Sequence, residues 1–516
     1  MTAEKKTATR NGVKRMVIVG ISILMELLFI VFVVDRLKDY AEWASVIIRV
    51  LALIVVLVIY SQNKTPSMKM PWIILTMTVP VLGLILYVLI GVDRSTRKMR
   101  RRYAEVDEKL LPMLHQDEEV FARLEREDKS ISNISSYLIR CSGYPVYVNT
   151  DVEYHPETDV AFRSLLEELE KAEKFIFMEY HAIEDAESFH AVEEVLVRKV
   201  AQGVEVRLFY DDMGSIFFIN TDFVKRMKEK GIKCMVFNPF APGMNVFLNN
   251  RDHRKITVID GKVGFTGGYN LANEYFNLTH PYGYWKDTGV KLTGDAVRSM
   301  TVTFLEMWNA AKNTQYLDTD FEQYLPKVDY KAENTGFVQP YADNPIDHEH
   351  VGEEVYMSIA EKATDYVYFM TPYLIITDEM IHVLSLAAKR GVDVRIITPG
   401  IPDKKLTYTV TRSFYNSLVR NGVRIFEYTP GFCHGKMCVC DDTLATCGTI
   451  NLDFRSLYHH FENGCMFCGG DIVGEIKKDF EESFALCREV TDKYKSGLSA
   501  PMRIAQLVLR VISPLL

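Results

Sequence analysis

Two copies of one polar pattern carry the residues most able to do chemistry. The first is His253-x-Lys255-x4-Asp260-x6-Gly267-Gly268-x-Asn270, and the second is His434-x-Lys436-x4-Asp441-x6-Gly448-Thr449-x-Asn451, at a constant offset of 181. Positions i and i+2 of a strand share a face, so the His and the Lys of each copy point the same way. The glycines let the backbone turn closely and return the Asn beside them. Both copies therefore predict one composite site.

Paired His, Lys and Asn side chains suit a tetrahedral anion. The lysines supply charge and the asparagines supply directional donors. One neutral His could attack phosphorus while the other, protonated, gives its proton to the leaving oxygen and then serves as base for the incoming hydroxyl. The candidate catalytic residues are His253, Lys255, Asp260, His434, Lys436 and Asp441, and the candidate substrate-binding residues are Asn270, Asn451, Gly268 and Thr449.

Each catalytic imidazole needs an acceptor on its far nitrogen that fixes the orientation of the ring. Asp287 and Glu462, which lie 34 and 28 residues after His253 and His434, are the candidates. The alternative for each is an ordinary surface or loop carboxylate.

No cofactor or metal is expected. Six of the nine Cys lie between Cys433 and Cys468, and Cys438-x-Cys440 with Cys465-x-x-Cys468 would be the natural zinc candidate. At the offset of 181, however, Cys438 and Cys440 replace Thr257 and Ile259, ordinary strand residues. We expect these cysteines to be small buried hydrophobic side chains.

The chain outside the two motifs repeats as well. Gly203-Val-Glu-Val-Arg207 returns as Gly391-Val-Asp-Val-Arg395, each between helix-like segments. Strands that alternate with helices predict α/β layers. We predict two pseudo-twofold-related α/β/α halves, residues 103–330 and 331–516, behind an N-terminal anchor, residues 1–102.

The predicted anchor is apolar and basic. It contains sixteen Lys/Arg against six Asp/Glu, whereas the whole chain has a net charge of −8, so a basic nucleic-acid coat is excluded. Met16–Val34, Ala44–Tyr60 and Trp72–Gly91 are apolar runs, the first interrupted by Glu26. Lengths near 20 residues favour two or three transmembrane helices. A cleaved signal peptide is the alternative for the first run, but no small-x-small site follows it.

Basic residues predict the orientation. The dense cluster in Arg94–Arg102 favours a multi-pass protein of the cell membrane whose body faces the cytoplasm. The basic residues before the first run conflict with this orientation if all three runs cross. Met502–Leu516, with apolar residues around Arg503 and Arg510, could lie at the interface or pack as a helix on the body.

On the doubled H-x-K-x4-D motif, the chain resembles the phospholipase D superfamily and, within it, the bacterial cardiolipin synthases. The resemblance covers nearly the whole chain. It includes Pro80–Gly91, Asp211–Ser215, Ile401–Lys404, Gly431–Lys436 and Ser513–Leu516.

The resemblance implies that a phosphatidyl group moves from one phosphatidylglycerol to a His and then to a second phosphatidylglycerol, which gives cardiolipin and glycerol. It implies His253 as nucleophile and His434 as acid. Gly268 departs from the family's usual Ser, which removes one hydroxyl from the first copy. The expected partners are phosphatidylglycerol and cardiolipin in the bilayer, with no nucleic acid. The alternatives are a hydrolytic phospholipase D, a transferase that uses another lipid alcohol, a nuclease and a non-catalytic membrane scaffold that binds anionic lipid.

Overall fold

A computed structural model describes residues 3–37, 42–91, 97–239, 249–311, 316–333, 335–495, 509–511 and 513. Arg94 and most of the predicted C-terminal interfacial segment lie outside these residues. The described chain is an α/β structure with two mixed sheets of similar topology, preceded by helices.

The N-terminal segment is helical. The helices are α1 (Ala3–Leu37), α2 (Glu42–Ser61), α3 (Pro66–Thr78) and α4 (Pro80–Leu86), followed by a π-helical turn (Tyr87–Gly91), α5 (Arg97–Leu110), a 3-10 turn (Leu111–Met113), α6 (Glu118–Glu127) and α7 (Lys129–Ser142). Asp117 and Asp128 cap α6 and α7 by accepting backbone N–H bonds. Across the described ranges, the length and apolar character needed for a bilayer crossing are not met together in any helix.

The first half is built on a seven-stranded sheet in the order β1-β9-β7-β6-β2-β3-β4. The strands of this half are β1 (Thr150–His155), β2 (Phe175–Tyr180), β3 (Glu205–Asp211), β4 (Lys233–Phe237), β5 (Arg251–Asp252), β6 (Lys255–Ile259), β7 (Val263–Gly267), β8 (Tyr284–Lys286) and β9 (Gly289–Gly294). Of these, β5 and β8 lie outside the seven-stranded sheet and pair with strands of the second half. The helices are α8 (Thr158–Glu170), α9 (Glu187–Ala201), α10 (Asp212–Ser215), α11 (Phe223–Glu229) and α12 (Val297–Ala310).

The second half follows a 3-10 turn (Glu322–Tyr324) and repeats this order as β10-β19-β17-β16-β11-β13-β14, with β20 added at the edge. Its strands are β10 (Phe337–Asp343), β11 (Tyr366–Met370), β12 (Leu374–Ile375), β13 (Asp393–Pro399), β14 (Arg424–Tyr428), β15 (Gly431–Cys433), β16 (Met437–Cys440), β17 (Leu444–Gly448), β18 (Leu452–Asp453), β19 (His460–Cys468) and β20 (Cys487–Glu489). The helices are α13 (Val351–Lys362), α14 (Asp378–Lys389), α15 (Lys405–Val419), α16 (Phe454–Tyr458), α17 (Asp471–Ala485) and α18 (Thr491–Lys495).

Two pairings between short strands join the two halves. Arg251–Asp252 of β5 pairs with the start of β19, and β15 pairs with β8, both in parallel register. These two pairings are pseudo-equivalent. Each joins the short strand before one catalytic motif to a strand of the other half, β19, which contains Glu462, or β8, which Asp287 directly follows. One hydrophobic core spans both halves and includes the buried helix α12. The fold therefore fixes the two motifs relative to each other.

Candidate active site

Each motif begins where a parallel strand ends. Lys255 opens β6 opposite Tyr180, the last residue of β2, and Met437 opens β16 opposite Met370, the last residue of β11. Because the carboxyl ends of parallel strands lie at one edge of a sheet, both motifs project from the edge where α/β proteins bind ligands. The pairings between halves bring these two edges together.

The backbone of each catalytic histidine is held by the other half. The N–H of His253 donates to the carbonyl of Phe461 at 2.9 Å, and the N–H of His434 donates to the carbonyl of Lys286 at 2.7 Å. Phe461 and Lys286 each precede a carboxylate residue, Glu462 and Asp287. A single short segment thus positions the main chain and the side chain of the opposing histidine.

The carboxylates pair crosswise with the rings. Nδ1 of His253 lies 2.8 Å from Oε1 of Glu462, and Nδ1 of His434 lies 2.6 Å from Oδ2 of Asp287. Since a carboxylate only accepts, each ring carries its proton on Nδ1 and has its lone pair on Nε2, which at His434 lies 3.0 Å from Nζ of Lys436. Chain order alone does not reveal this crossing, because each acceptor comes from the other half.

The lysines occupy equivalent places. Nζ of Lys255 donates to the carbonyl of His253, and Nζ of Lys436 donates to that of His434, both at 2.5 Å. Burial lowers the pKa of Lys255 to about 7 and that of Lys436 to about 8, although Glu462 and Asp287 act in the opposite direction. A bound anion would therefore stabilise the charged form of both lysines.

The histidines are neutral before substrate binds. Burial, and then the charge of Lys436, lowers the pKa of His434 to about 3. Burial, and then Lys255, holds the pKa of His253 well below its usual value. Both residues are buried, with exposures of 8% for His253 and 6% for His434. A phosphodiester anion between them would offset the lysine charges and favour protonation of one ring.

The aspartates of the motif do not meet the histidines. Asp260 accepts N–H bonds from Glu173, Lys174 and Phe175 at 2.7–2.8 Å, at the far end of β6. Asp441 does the same for the turn before β11, where it binds the N–H groups of residues 364–366. Both have a left-handed backbone, with φ of 54° and 48°. Both carboxylates therefore bind backbone turns beyond the far ends of β6 and β16, and their expected catalytic role stays a prediction.

Thr449 and Gly268 lie behind the carboxylates. The Thr449 hydroxyl donates to Glu462 at 2.5 Å, so it supports the carboxylate and is not free for phosphate. A β-carbon on Gly268 would lie 2.0 Å from Oδ1 of Asp287. The hydroxyl expected to face phosphate therefore faces the carboxylate in one half, and has no room in the other.

Asn270 and Asn451 return beside the motifs. Asn270 accepts from the N–H of Ala182 and donates to the Tyr275 hydroxyl, whose ring centroid lies 5.3 Å from that of His434. Oδ1 of Asn451 is buried without a protein partner.

Two further histidines flank His253 that the motif analysis missed. The ring centroids of His181 and His460 lie 5.0 and 5.4 Å from that of His253. His460 stands two residues before Glu462, as Trp285 stands two residues before Asp287. That shared spacing was an available signal, but the residue types differ.

The cysteines are free, and six of them in Cys433–Cys468 are buried. In the described part of the chain, the group that could hold a metal consists of His253, His460 and Glu462, with donor atoms within 4.8 Å of one another. It contains no cysteine, and its shortest contact is the His253–Glu462 hydrogen bond already described.

The described fold and site define a two-lobed protein with a phosphodiester site shared between its lobes. Residues 165–308 and 356–484 match the family described as "Cardiolipin synthase, PLD-like domain", and residues 47–91 match "Phospholipase_D-nuclease N-terminal". The chain belongs to this family of phospholipase D-like cardiolipin synthases.

Similar proteins cover nearly the whole chain. It is 41% identical to an uncharacterized protein of Streptococcus mutans, over 90% of this chain and 99% of that one. It is 30% identical to cardiolipin synthase 2 of Bacillus cereus, over 89% of both chains. Among solved structures, phosphatidylserine synthase of Haemophilus influenzae shares the fold with a TM-score of 0.55 and 15% identity, over 75% of this chain and 99% of that one.

Proposed function

We propose that this protein is a cardiolipin synthase that transfers a phosphatidyl group from one phosphatidylglycerol to another. The observation that carries the proposal is the crossed pair of His–carboxylate contacts, which leave Nε2 of each neutral imidazole free of the carboxylate. Lys255, Lys436 and His434 all lower the pKa of His253, which supports one shared site. The family membership and the 30% identical synthase of Bacillus cereus support the choice of substrate.

In the first step, Nε2 of one histidine attacks phosphorus and the bond to the headgroup oxygen breaks. The other histidine, protonated as the anion binds, gives its proton to that oxygen and glycerol leaves. It then takes the proton of the terminal hydroxyl of a second phosphatidylglycerol, whose oxygen attacks phosphorus and breaks the P–N bond. Lys255 and Lys436 stabilise the charge on the phosphoryl oxygens in both steps. The assignment of His253 as nucleophile stays a prediction.

We also propose that the N-terminal helices attach the protein to the cell membrane. Many apolar side chains of α1 and α2 are exposed by half or more, among them Phe29 at 67% and Leu57 at 58%. Such surfaces are stable against lipid and costly in water. The number of crossings, a body that faces the cytoplasm and the boundaries at residues 102 and 330 stay predictions.

Product analysis tests the enzymatic proposal. Full-length protein is given labelled phosphatidylglycerol, and the products are separated by mass. We expect cardiolipin and glycerol in equal amounts. Phosphatidic acid without cardiolipin would instead show a hydrolase, and no product with retained lipid binding would show a scaffold.

Two substitutions test the assigned chemistry. His253→Ala and His434→Ala should each lower turnover by about 10³-fold or more, because each removes a group that acts on phosphorus or on its leaving oxygen. His190→Ala is the control, since His190 lies at the surface with its side chain 44% exposed. Retained activity in both site variants would refute the mechanism.

A further inference from the structure

An aromatic wall extends from His434 toward the surface. The rings nearest to His434 have centroids 5.2–5.6 Å away, and belong to Tyr275, Trp285 and Phe432. Tyr282 continues the wall, 6.4 Å from Trp285 and 6.3 Å from Phe432. Tyr373 also lies 6.3 Å from Phe432. The His434 side of the site is therefore apolar from the reacting ring outward.

The wall ends in a surface that we name the rim, which consists of Leu278, Tyr282, Ile401, Lys404 and Leu406. Ile401, Leu278 and Leu406 are 39%, 47% and 53% exposed. A β-carbon on Gly283, next to Tyr282, would lie 3.4 Å from Cδ1 of Ile401. Nζ of Lys404 lies 5.7 Å from the ring of Tyr373. Tyr282, Ile401 and Lys404 are thus continuous with the aromatic wall, and Leu406 follows Lys404 by two residues. The rim combines exposed aliphatic side chains with Lys404, whose Nζ lies 4.0 Å from Oδ2 of Asp403.

The side of the site around His253 is more polar than the side around His434. His253 is flanked by the imidazoles of His181 and His460. At the pseudo-equivalent positions of Trp285 and His460, one half therefore has an indole and the other an imidazole. The two lobes share one backbone plan but differ in polarity, and the apolar route out of the site is on the His434 side.

The rim lies at the same edge of the fold as the N-terminal helices. Residues 400–406 follow β13, and the segment 212–220 follows β3, so both lie where parallel strands end. The first part of α1 rests on that segment, where Arg15 pairs with Asp212 at 2.5 Å and Val19 packs on Ile216. The rim and the segment that contacts α1 therefore follow pseudo-equivalent strands, one in each half.

We propose that the rim docks on the surface of an anionic phospholipid bilayer and leads a lipid headgroup along the aromatic wall to His434. Exposed aliphatic side chains beside lysine match the interface of such a bilayer, since the chains enter the acyl boundary and Lys404 and Lys405 attract the lipid phosphates. This inference rests on the proposed function, because it takes a bilayer lipid as substrate. The docking also gives a role to the Ile401–Lys404 segment. This segment is part of the resemblance to the cardiolipin synthases, but it takes no part in the proposed phosphoryl transfer.

Fluorescence quenching tests the docking directly. Leu406→Trp, in full-length protein reconstituted into vesicles of phosphatidylglycerol and phosphatidylcholine brominated in its acyl chains, is compared with the parent protein. We expect at least twofold stronger quenching of the added indole than of an indole introduced by Leu386→Trp. Leu386 is the matched control because it is a 44% exposed leucine in the last turn of α14, at the opposite edge of the sheet. Equal quenching at the two positions would overturn the proposal.

Kinetics supply a second test. Ile401→Asp with Leu406→Asp should lower turnover of vesicle phosphatidylglycerol at least tenfold more than turnover of the dispersed dihexanoyl lipid. The double variant Leu317→Asp, Leu386→Asp, also at exposed leucines, should show no such difference. Equal losses on the two substrates would contradict docking. If the parent protein makes no cardiolipin yet the indole at position 406 is quenched, the proposed function fails and the docking stands.

Discussion

At the scale of single residues, the site is a pair of histidines whose environments are set by burial and by the other half of the chain. Each ring has its proton fixed on Nδ1 by a carboxylate, His253 by Glu462 and His434 by Asp287. The carboxylate binds Nδ1, so it determines that Nε2 is the nitrogen that faces phosphorus, and it stabilises the imidazolium when it forms.

The orienting role predicts the effect of Glu462→Gln and Asp287→Asn. An amide can donate to Nδ1 and reverse the tautomer, so we expect kcat to fall by about 10²–10⁴-fold in each variant. Initial rates of cardiolipin formation measure the loss. Glu489→Gln, at an exposed ion pair with Arg424, is the control. A loss of less than threefold in both variants would exclude the orienting role.

The lysines predict a dependence on pH. With pKa values of about 7 and 8, Lys255 and Lys436 are charged below these values in the free enzyme and lose their protons as pH rises. Because the anionic substrate binds the form in which both lysines are charged, kcat/KM should fall by up to about tenfold per pH unit between pH 7 and 8 and by up to about 100-fold per unit above pH 8, where both protons are lost. In Lys255→Arg the decline should be shallower, since a guanidinium stays charged. A flat profile between pH 6 and 9 in the parent protein would contradict this prediction.

At the scale of elements, the spacing of the motif follows from the two ends of one strand. The start of the strand belongs to the candidate site, and its end binds a backbone turn. His253 and Lys255 stand at the start of β6, and Asp260 binds three backbone N–H groups at its end. The sequence shows the repeat, the strands and the glycine turns because these are local patterns. It does not show what Asp260 binds, because the partners of Asp260 lie more than 80 residues away in the chain.

This division of labour makes Asp260→Ala a stability variant. The change removes the acceptor of three N–H groups, of which that of Phe175 is buried and those of Glu173 and Lys174 are partly buried, and we expect a loss of about 1–3 kcal/mol in the free energy of unfolding. Turnover of the folded fraction should change less than threefold. Chemical denaturation in detergent and rates per folded molecule measure the two effects. Unchanged stability with a large loss of turnover would support a catalytic role for Asp260.

At the scale of the whole molecule, one active site requires both halves. The sequence predicts two halves from the repeat of 181 residues, but their contacts depend on residues that the repeat does not mark. His460 and Trp285 illustrate this, since they hold equivalent places with different chemistry. Lys286 is another case. Its carbonyl binds His434, while its ammonium lies buried against Asp479 of α17 at 2.8 Å.

The Lys286–Asp479 pair predicts that stability and activity are coupled across the halves. Asp479 also accepts the Tyr154 hydroxyl at 2.5 Å, so Asp479→Ala removes the carboxylate from a buried hydroxyl and from a buried ammonium that keeps only the Pro156 carbonyl at 2.7 Å and a distant contact with Glu157. We expect the free energy of unfolding to fall by about 3–5 kcal/mol. We also expect kcat to fall, since the Lys286 carbonyl that holds His434 would shift with its side chain. Lys477→Ala on the same helix is the control, because its pair with Asp442 is partly exposed and should contribute less than about 1 kcal/mol. Equal effects of the two substitutions on stability and turnover would show that the Lys286–Asp479 contact does not hold the halves in their active arrangement.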